Sequence, residues 1–271
     1  MTRTPSEKRE TFRRMHDEGC FVLPNPWDAG SAVVLERLGF GALASTSAGM
    51  AWAMGLADGA VGLEAVLAHL TGLAAATDLP LNADFENGFA HAPDEVAANV
   101  TRAVETGVAG LSIEDHPGGG ASGLYDFNLA VQRVAAARAA IDRSGSGVVL
   151  TARSEGFIRG APDLAETVRR LKAFAQAGAD CLYAPGLRDE GTIRAVVEAA
   201  APKPVNVLSP GLPVATLAAL GVRRISLGGA LAATAFAALL RAAEEIAKDG
   251  VFTTLAANRP SQPPNAFFAG R

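Results

Sequence analysis

Along this 271-residue chain a short apolar run gives way, eight times over, to a longer stretch with the 3.6-residue period of an amphipathic helix. The runs are Phe21–Leu23, Ala42–Ala44, Leu81–Ala83, Gly110–Ile113, Val148–Thr151, Cys181–Ala184, Val205–Leu208 and Arg224–Leu227. The helical stretches that follow them are Ser31–Leu38, Gly62–Ala76, Pro93–Thr106, Leu129–Ile141, Asp163–Ala177, Asp189–Ala200, Pro213–Leu220 and Leu231–Lys248. Strands that alternate with helices select a parallel sheet, and eight such units are the number that closes a (β/α)8 TIM barrel. Gly107, Gly178 and Gly221 fall where helices should stop, each shortly before the next strand. No linker or shift in composition marks a second domain. The expectation is one α/β barrel domain over 1–271, with an N-terminal helix before it and an irregular tail from about Asn258.

Composition narrows the partners. Hydrophobic residues make up 49% of the chain and aromatics only 6%, which suits Ala- and Gly-rich helices lying close on a sheet. A net charge of −4 and a pI near 5.6 give no electrostatic reason to bind nucleic acid or an anionic membrane, so a small molecule is the expected partner. Cys20 and Cys181 have no metal-type spacing and read as small buried hydrophobes in a reducing, cytoplasmic setting. The N-terminus leads into a charged, helix-like stretch, and no apolar run reaches about eighteen residues, so neither export nor a membrane span is expected.

In a barrel of this kind the active site lies where the strands end. The residues after the runs are unusually polar: Asn25, Trp27 and Asp28; Ser45, Thr46 and Ser47; Asp84 and Glu86; Glu114, Asp115 and His116; Arg153 and Glu155; Asn206 and Ser209. Asp84 and Glu86 are two apart, so on an extended backbone they point to the same side, and with Glu114 they offer hard oxygen ligands suited to Mg²⁺ or Mn²⁺. The plainer alternative is a turn cap at Asp84 and an ion pair at Glu114. Arg153 near a barrel mouth needs an anion, either the substrate or Glu155. Ser45–Ser47 reads as an ordinary turn or as a cradle for an acid group. Asp28 reads as a helix cap, and His116 as a loop residue or a proton-transfer group.

Taken in order, these motifs resemble the isocitrate lyase and phosphoenolpyruvate mutase superfamily. The resemblance covers nearly the whole chain, through Asn25-Pro26-Trp27-Asp28-Ala29-Gly30-Ser31-Ala32, Gly39-Phe40, Gly55-Leu56-Ala57-Asp58, Asp84-Phe85-Glu86-Asn87-Gly88, Ile113-Glu114-Asp115, Thr151-Ala152-Arg153, Ala177-Gly178-Ala179-Asp180 and Val222–Gly228. It implies a Mg²⁺-dependent enzyme acting on a small 2-oxo or 2-hydroxy acid through an enolate. In that reading Asp84, Glu86 and Glu114 hold the metal. Arg153, Ser45, Thr46, Ser47 and Asn206 bind substrate, Arg153 also serving catalysis with Asp58, which lies on a gating segment. The resembled family exchanges its eighth helix between subunits. Leu231, Phe236, Leu239, Leu240 and Ile246 give Leu231–Lys248 the apolar surface for this, which implies a homodimer or homotetramer.

The chain also departs from the family. Isocitrate and methylisocitrate lyases carry a Lys-Lys/Arg-Cys-Gly-His segment after strand four, and the mutases and phosphonopyruvate hydrolase a Lys-Thr-Asn-Ser type of loop. This chain has His116-Pro117-Gly118-Gly119-Gly120-Ala121-Ser122-Gly123-Leu124, and Pro185 where lyases place a glutamate. The resemblance is therefore to a short-loop branch. The expected reaction is cleavage or decarboxylation of an oxaloacetate-like acid, with C–P bond chemistry and a ligand-binding barrel without turnover as the alternatives.

Overall fold

The computed structural model describes residues 3–209, 211–259 and 262–269. In chain order the elements are α1 (Pro5–Arg14), β1 (Phe21–Leu23), α2 (Ala29–Arg37), β2 (Leu43–Ala44), α3 (Ser47–Ala53), α4 (Leu63–Ala76), β3 (Leu81–Asp84), α5 (Pro93–Glu105), β4 (Gly110–Glu114) and α6 (Phe127–Ser144). There follow β5 (Val149–Arg153), α7 (Leu164–Gln176), β6 (Cys181–Tyr183), α8 (Glu190–Ala200), β7 (Val205–Leu208), α9 (Val214–Ala219), β8 (Arg224–Ser226), α10 (Ala230–Asp249) and α11 (Thr253–Ala257). All eight strands are parallel, with β1 paired to β8 and the order descending from there to β2. The gap between β1 and β2 is bridged just past the strands: Ala44 N–H donates to Pro24 O at 3.0 Å, and Asn25 Nδ2 to Ser45 O at 2.8 Å. Asn25 Oδ1 also accepts the Leu227 and Gly228 N–H groups, so one side chain ties the ends of β8, β1 and β2 into a nearly closed barrel.

α1 seals the bottom. A capping box between Thr4 and Glu7 starts it, and it drives the fully buried Phe12 against Leu23, Ala42, Ala44, Ala109 and Val149. That burial alone is worth roughly 1.5–3 kcal/mol. Its basic side chains serve two neighbouring helices. Lys8 Nζ donates to Ala74 O and Thr77 O at the end of α4, and Arg9 donates to Val104 O and Val108 O at the end of α5, meeting the partial negative charge there. A larger outer core lies between sheet and helices, with Leu70, Leu73, Val96, Val100, Ile141 and Phe174 at its centre.

The predicted periodicity holds, and its errors are informative. β3, β4 and β5 run through Asp84, Glu114 and Arg153, one or two residues beyond their apolar runs: the ladder pairs Asp84 with Ser112 and Glu114 with Arg153, and opposite charges on the second pair favour that register. The Ser45–Ser47 segment, read as a turn or a cradle, leads into α3, which is not among the expected helices. Thr46 Oγ1 caps it by accepting the Gly49 N–H. Gly178 takes φ +102 after α7, where a Cβ would also stand 2.5 Å from Arg138 Cγ. At the far end α10 leaves Leu239 and Leu240 exposed, as are Phe252 and Leu255 after it. Past α11 the 260s contain a 3-10 turn, Pro264–Phe267. Among the described residues no helix is long and apolar enough to cross a membrane.

Candidate active site

Charge gathers where β3, β4 and β5 end. Arg153 reaches three carboxylates at once: Nη1 lies 2.6 Å from Asp84 Oδ1, Nη2 3.2 Å from Glu114 Oε2, and Nε 3.0 Å from Glu155 Oε1. Its guanidinium also stands over the Tyr183 ring, 5.2 Å from the centroid. Burial opposes the Arg153 charge, but Glu155, Glu114 and Asp84 together hold its pKa well above the ordinary value. Glu155, offered by the sequence as the plain partner of Arg153, is fully buried, and its Oε2 accepts no hydrogen bond. Behind it Asp115 accepts the Glu155 N–H and pairs with Arg170, and burial pushes its carboxyl up to about 6.

The acids outnumber the bases. Arg159 is the second cation of the cluster, 3.9 Å from Glu114 Oε1 and 3.8 Å from Glu155 Oε2. Burial, then Asp84 and Asp58, push Glu86 up to about 7. Glu114 is raised well above the carboxylate range, first by burial and then by Glu155, Asp84 and Glu86, with Arg153 opposing. Such a cluster must take up protons or another cation. Its donors are all hard carboxylate oxygens, so the residues fit a divalent cation of the Mg²⁺ or Mn²⁺ type. Among the described residues, however, no three acidic, histidine or cysteine side chains are arranged as a ready-made metal cage, and Arg153 stands among the carboxylates.

One expectation about this set needs correction. Glu86 is not on an extended backbone: it follows β3 in a turn at φ +46, so the two-residue spacing from Asp84 does not set its direction. The turn is held from α6. Buried Arg133 donates to the carbonyls of Asn87, Ala90 and His91 and lies over the Tyr125 ring at 4.1 Å. Tyr125 OH in turn meets His91 Nδ1 at 2.6 Å.

Ser45 and Ser47 hold Asp84, one at its backbone and the other at its carboxylate. Ser45 Oγ accepts the Asp84 N–H at 2.8 Å, and the Ser47 N–H donates to Asp84 Oδ2 at 3.0 Å. Thr46 is buried and caps α3. Asp58 lies exposed on the turn over 56–60 and borders two cavities. One, of about 220 Å³, descends into the barrel past Ser45–Ala48, Asp84 and Tyr183. The other, of about 350 Å³, lies over Glu86, Glu114, Glu155 and Arg159, and Arg153 borders both. Asn206 was expected at a strand end, but it is the second residue of β7, buried lower in the barrel, where its Oδ1 accepts from Arg224 and its Nδ2 donates to Ser226. Asp28 caps α2 by accepting the Ser31 N–H. His116 is buried, with burial lowering its pKa; Nδ1 accepts the Gly118 N–H, which leaves Nε2 to donate to Ala121 O.

The phosphoenolpyruvate phosphomutase family profile matches residues 12–247, nearly the whole barrel. The chain belongs to this family. It is thereby an enzyme of the isocitrate lyase and phosphoenolpyruvate mutase superfamily, whose members are carbon–carbon lyases and mutases. The chain is similar to a candidate lyase/mutase of Burkholderia cenocepacia J2315, at 45% identity over 98% of both chains with a TM-score of 0.94. It is 31% identical to an oxaloacetate decarboxylase of Paraburkholderia xenovorans (strain LB400), over 82% of this chain and 75% of that one. A phosphonopyruvate hydrolase solved with oxalate and Mg²⁺ is 25% identical with a TM-score of 0.82, covering 96% of this chain and 92% of the other.

Sequence reasoning missed Arg133, Tyr125, Tyr183 and Arg159. The signal for Tyr183 was its place at the end of the sixth run; Arg133 carried none, since an arginine on a helix ordinarily reads as a solvated face.

Proposed function

We propose that this enzyme is a Mg²⁺-dependent lyase or decarboxylase of a small 2-oxo acid of the oxaloacetate type. The observation that carries the reading is the loop after β4. His116 spends both ring nitrogens within the loop, and 117–124 contain no acidic or thiol side chain, so no loop group is poised to protonate a carbanionic leaving fragment. Decarboxylation releases neutral CO₂ and requires only that the developing enolate be stabilised.

The chain's own residues suit that task. Asp84, Glu86 and Glu114 would hold the cation, which supplies Lewis-acid stabilisation of the oxyanion. Asp84 is fixed for this by Ser45 and Ser47 on one side and Arg153 on the other. Arg153 uses three of its five N–H groups on carboxylates, which leaves two to orient the substrate's carboxylate and oxo oxygens. Asp58, exposed on its turn, is placed to cover the cavity mouth and exclude water. The exposed Leu239 and Leu240 of α10 favour a homo-oligomer in which this helix packs on a neighbour. A monomer by light scattering would end that part of the reading.

A panel of 2-oxo, 2-hydroxy and phosphonate acids, followed by NMR with Mg²⁺ present, tests the activity. Oxaloacetate-type turnover should exceed cleavage of isocitrate or methylisocitrate, and Asp84→Ala should abolish both Mg²⁺ binding and turnover. Turnover of phosphonopyruvate alone would favour the C–P alternative, and no turnover of any acid a barrel that only binds.

A further inference from the structure

Decarboxylation leaves an enolate whose C3 must gain a proton, and the two cavities divide the candidates for the donor. The outer one, over Glu86 and Glu114, borders Gly118–Gly120 of a loop without acidic or thiol side chains. The inner one runs past Asp84 and Arg153 to Tyr183, and then to a floor of Asn206, Arg224 and Ser226. Tyr183 ends β6 as the register partner of Arg153, whose guanidinium stands over its ring. Of the acids on this cavity, Asp84 is taken by Arg153 and the Ser47 N–H, and Asp58 lies exposed at the mouth. Tyr183 brings a buried phenolic O–H.

Hydrogen bonds with a single direction lead from the floor to that phenol. Arg224 is buried and can only donate, so Asn206 must turn Oδ1 to Arg224 Nε, at 2.8 Å, and Nδ2 to Ser226 Oγ, at 2.9 Å. Ser226 Oγ is thereby an acceptor, which leaves its own O–H for the hydrogen bond it makes with Tyr183. The phenolic proton is then free to face the cavity. Burial pushes the phenol up to about 12 and keeps it protonated at neutral pH, while Arg153 and the Ser226 hydrogen bond favour the tyrosinate left once the proton has gone.

We propose that Tyr183 is the acid that protonates C3 of the enolate held at Arg153, with Ser226 and Asn206 as positioning residues that fix its oxygen. This rests on the proposed function for the origin of the enolate and adds the residue that completes the reaction. In an oxaloacetate-type acid the C3–C4 bond breaks, its electron pair becomes the C2–C3 double bond, the C2 oxygen takes the negative charge, and C4 departs as CO₂. The C2–C3 pair then bonds the phenolic proton at C3, the C2 carbonyl re-forms, and the tyrosinate recovers a proton from water. Nothing is oxidised or reduced. Arg224 contributes without touching the substrate: its charge has no carboxylate partner among the described residues, and the bonds through Asn206 and Ser226 aim it at the developing tyrosinate. Tyr183 faces the fragment retained at Arg153, so it does not stand in for a loop acid that would protonate a departing one.

Exchange of the methyl hydrogens of pyruvate for deuterium tests this step alone, because it runs the C3 proton transfer in both directions without CO₂. The full-length, Mg²⁺-loaded protein in D₂O should wash out the methyl signal in ¹H NMR faster than a protein-free control. Tyr183→Phe should slow this about a hundredfold or more, yet bind oxalate, which resembles the planar enolate, as tightly as wild type in calorimetry. Parallel loss of exchange and oxalate affinity in a folded Tyr183→Phe protein would make the ring only a support for Arg153 and overturn the proposal. Exchange at the wild-type rate in that variant, or none by wild type, overturns it as well. If Tyr183→Phe does not fold, Ser226→Ala must slow the exchange, and failure to do so counts against the donor. The proposed function fails separately: Tyr183-dependent exchange in a protein that does not decarboxylate oxaloacetate would sink the decarboxylase reading and leave Tyr183 standing.

Discussion

Replacing Arg153 with methionine removes the one cation that, among the described residues, touches Asp84, Glu114 and Glu155 together. Methionine keeps an unbranched apolar stem but removes the guanidinium, which also stands over the Tyr183 ring, so the loss is chiefly one of charge. Breaking a buried ion pair from one side costs about 3–5 kcal/mol, and because the three contacts share one guanidinium they do not add, so the whole loss stays near that range, about 4 kcal/mol. For a chain of this size that corresponds to a fall in Tm of roughly 8–16 °C. The loss should depend on pH. With Arg153 gone, Glu86 and Glu114, already raised by burial, lie further above their unfolded values, so the folded state binds protons that the unfolded state does not. Stability contributed by those protonated carboxyls is fully present below the unfolded pKa and is lost as pH rises through the folded one. The deficit should be smaller near pH 5 than at pH 8, where it is still growing. Scanning calorimetry of wild type and Arg153→Met at the two pH values, without metal, reads this directly. An excess of Mg²⁺, at about a hundred times its Kd, should return about 2.7 kcal/mol. Equal deficits at pH 5 and pH 8 would refute the idea that Arg153 neutralises a surplus of buried carboxylate.

The remaining expectations are narrower. In metal-free wild type the Glu86 carboxyl, raised to about 7, should make stability fall by up to about 3 kcal/mol as pH rises from roughly 4.5 to 7, and Glu86→Gln should flatten that slope in urea titrations. Arg133→Met would leave the Asn87, Ala90 and His91 carbonyls without their donor, so a loss of roughly 3 kcal/mol and weaker Mg²⁺ binding are expected; calorimetric Mg²⁺ affinity equal to wild type would separate Arg133 from the position of Glu86. Gly178→Ala forces a Cβ against Arg138 at φ +102 and should lower stability by about 1–3 kcal/mol; an unchanged urea midpoint would contradict the clash.

The barrel was legible because its evidence is local. A strand that must bury both faces becomes an apolar run, and a helix lying on it shows the 3.6-residue stripe, so eight runs and eight stripes can be read without knowing what touches what. Asp84, Glu114 and Arg153 stood out for the same reason, as charges where such runs stop. What stayed hidden depends on neighbours distant in sequence. Glu86 turns left-handed because a helix residue 47 positions later grips the next carbonyl along, and nothing between the two positions announces it. Asn206 read as a strand-end polar group, but register and shear place it in the barrel's interior beside Arg224. Ser45–Ser47 read as a turn or as a cradle for an acid group, and nothing in the sequence signals that its Ser47 N–H meets Asp84, a side chain of the next strand.

The two inward arginines show how one cavity can carry opposite demands. Arg153 is surrounded by acids to the point that Glu86 and Glu114 are pushed toward their protonated forms, so the strand-end rim favours an added cation. Among the described residues Arg224 has only neutral partners, so its charge is spread over Asn206, Thr151 and His16 where Arg153 has three carboxylates. The two sites therefore answer a change of pH differently: the rim takes up protons as pH falls, because its raised carboxyls titrate, whereas the floor has, among the described residues, no acid in contact with its guanidinium to do so.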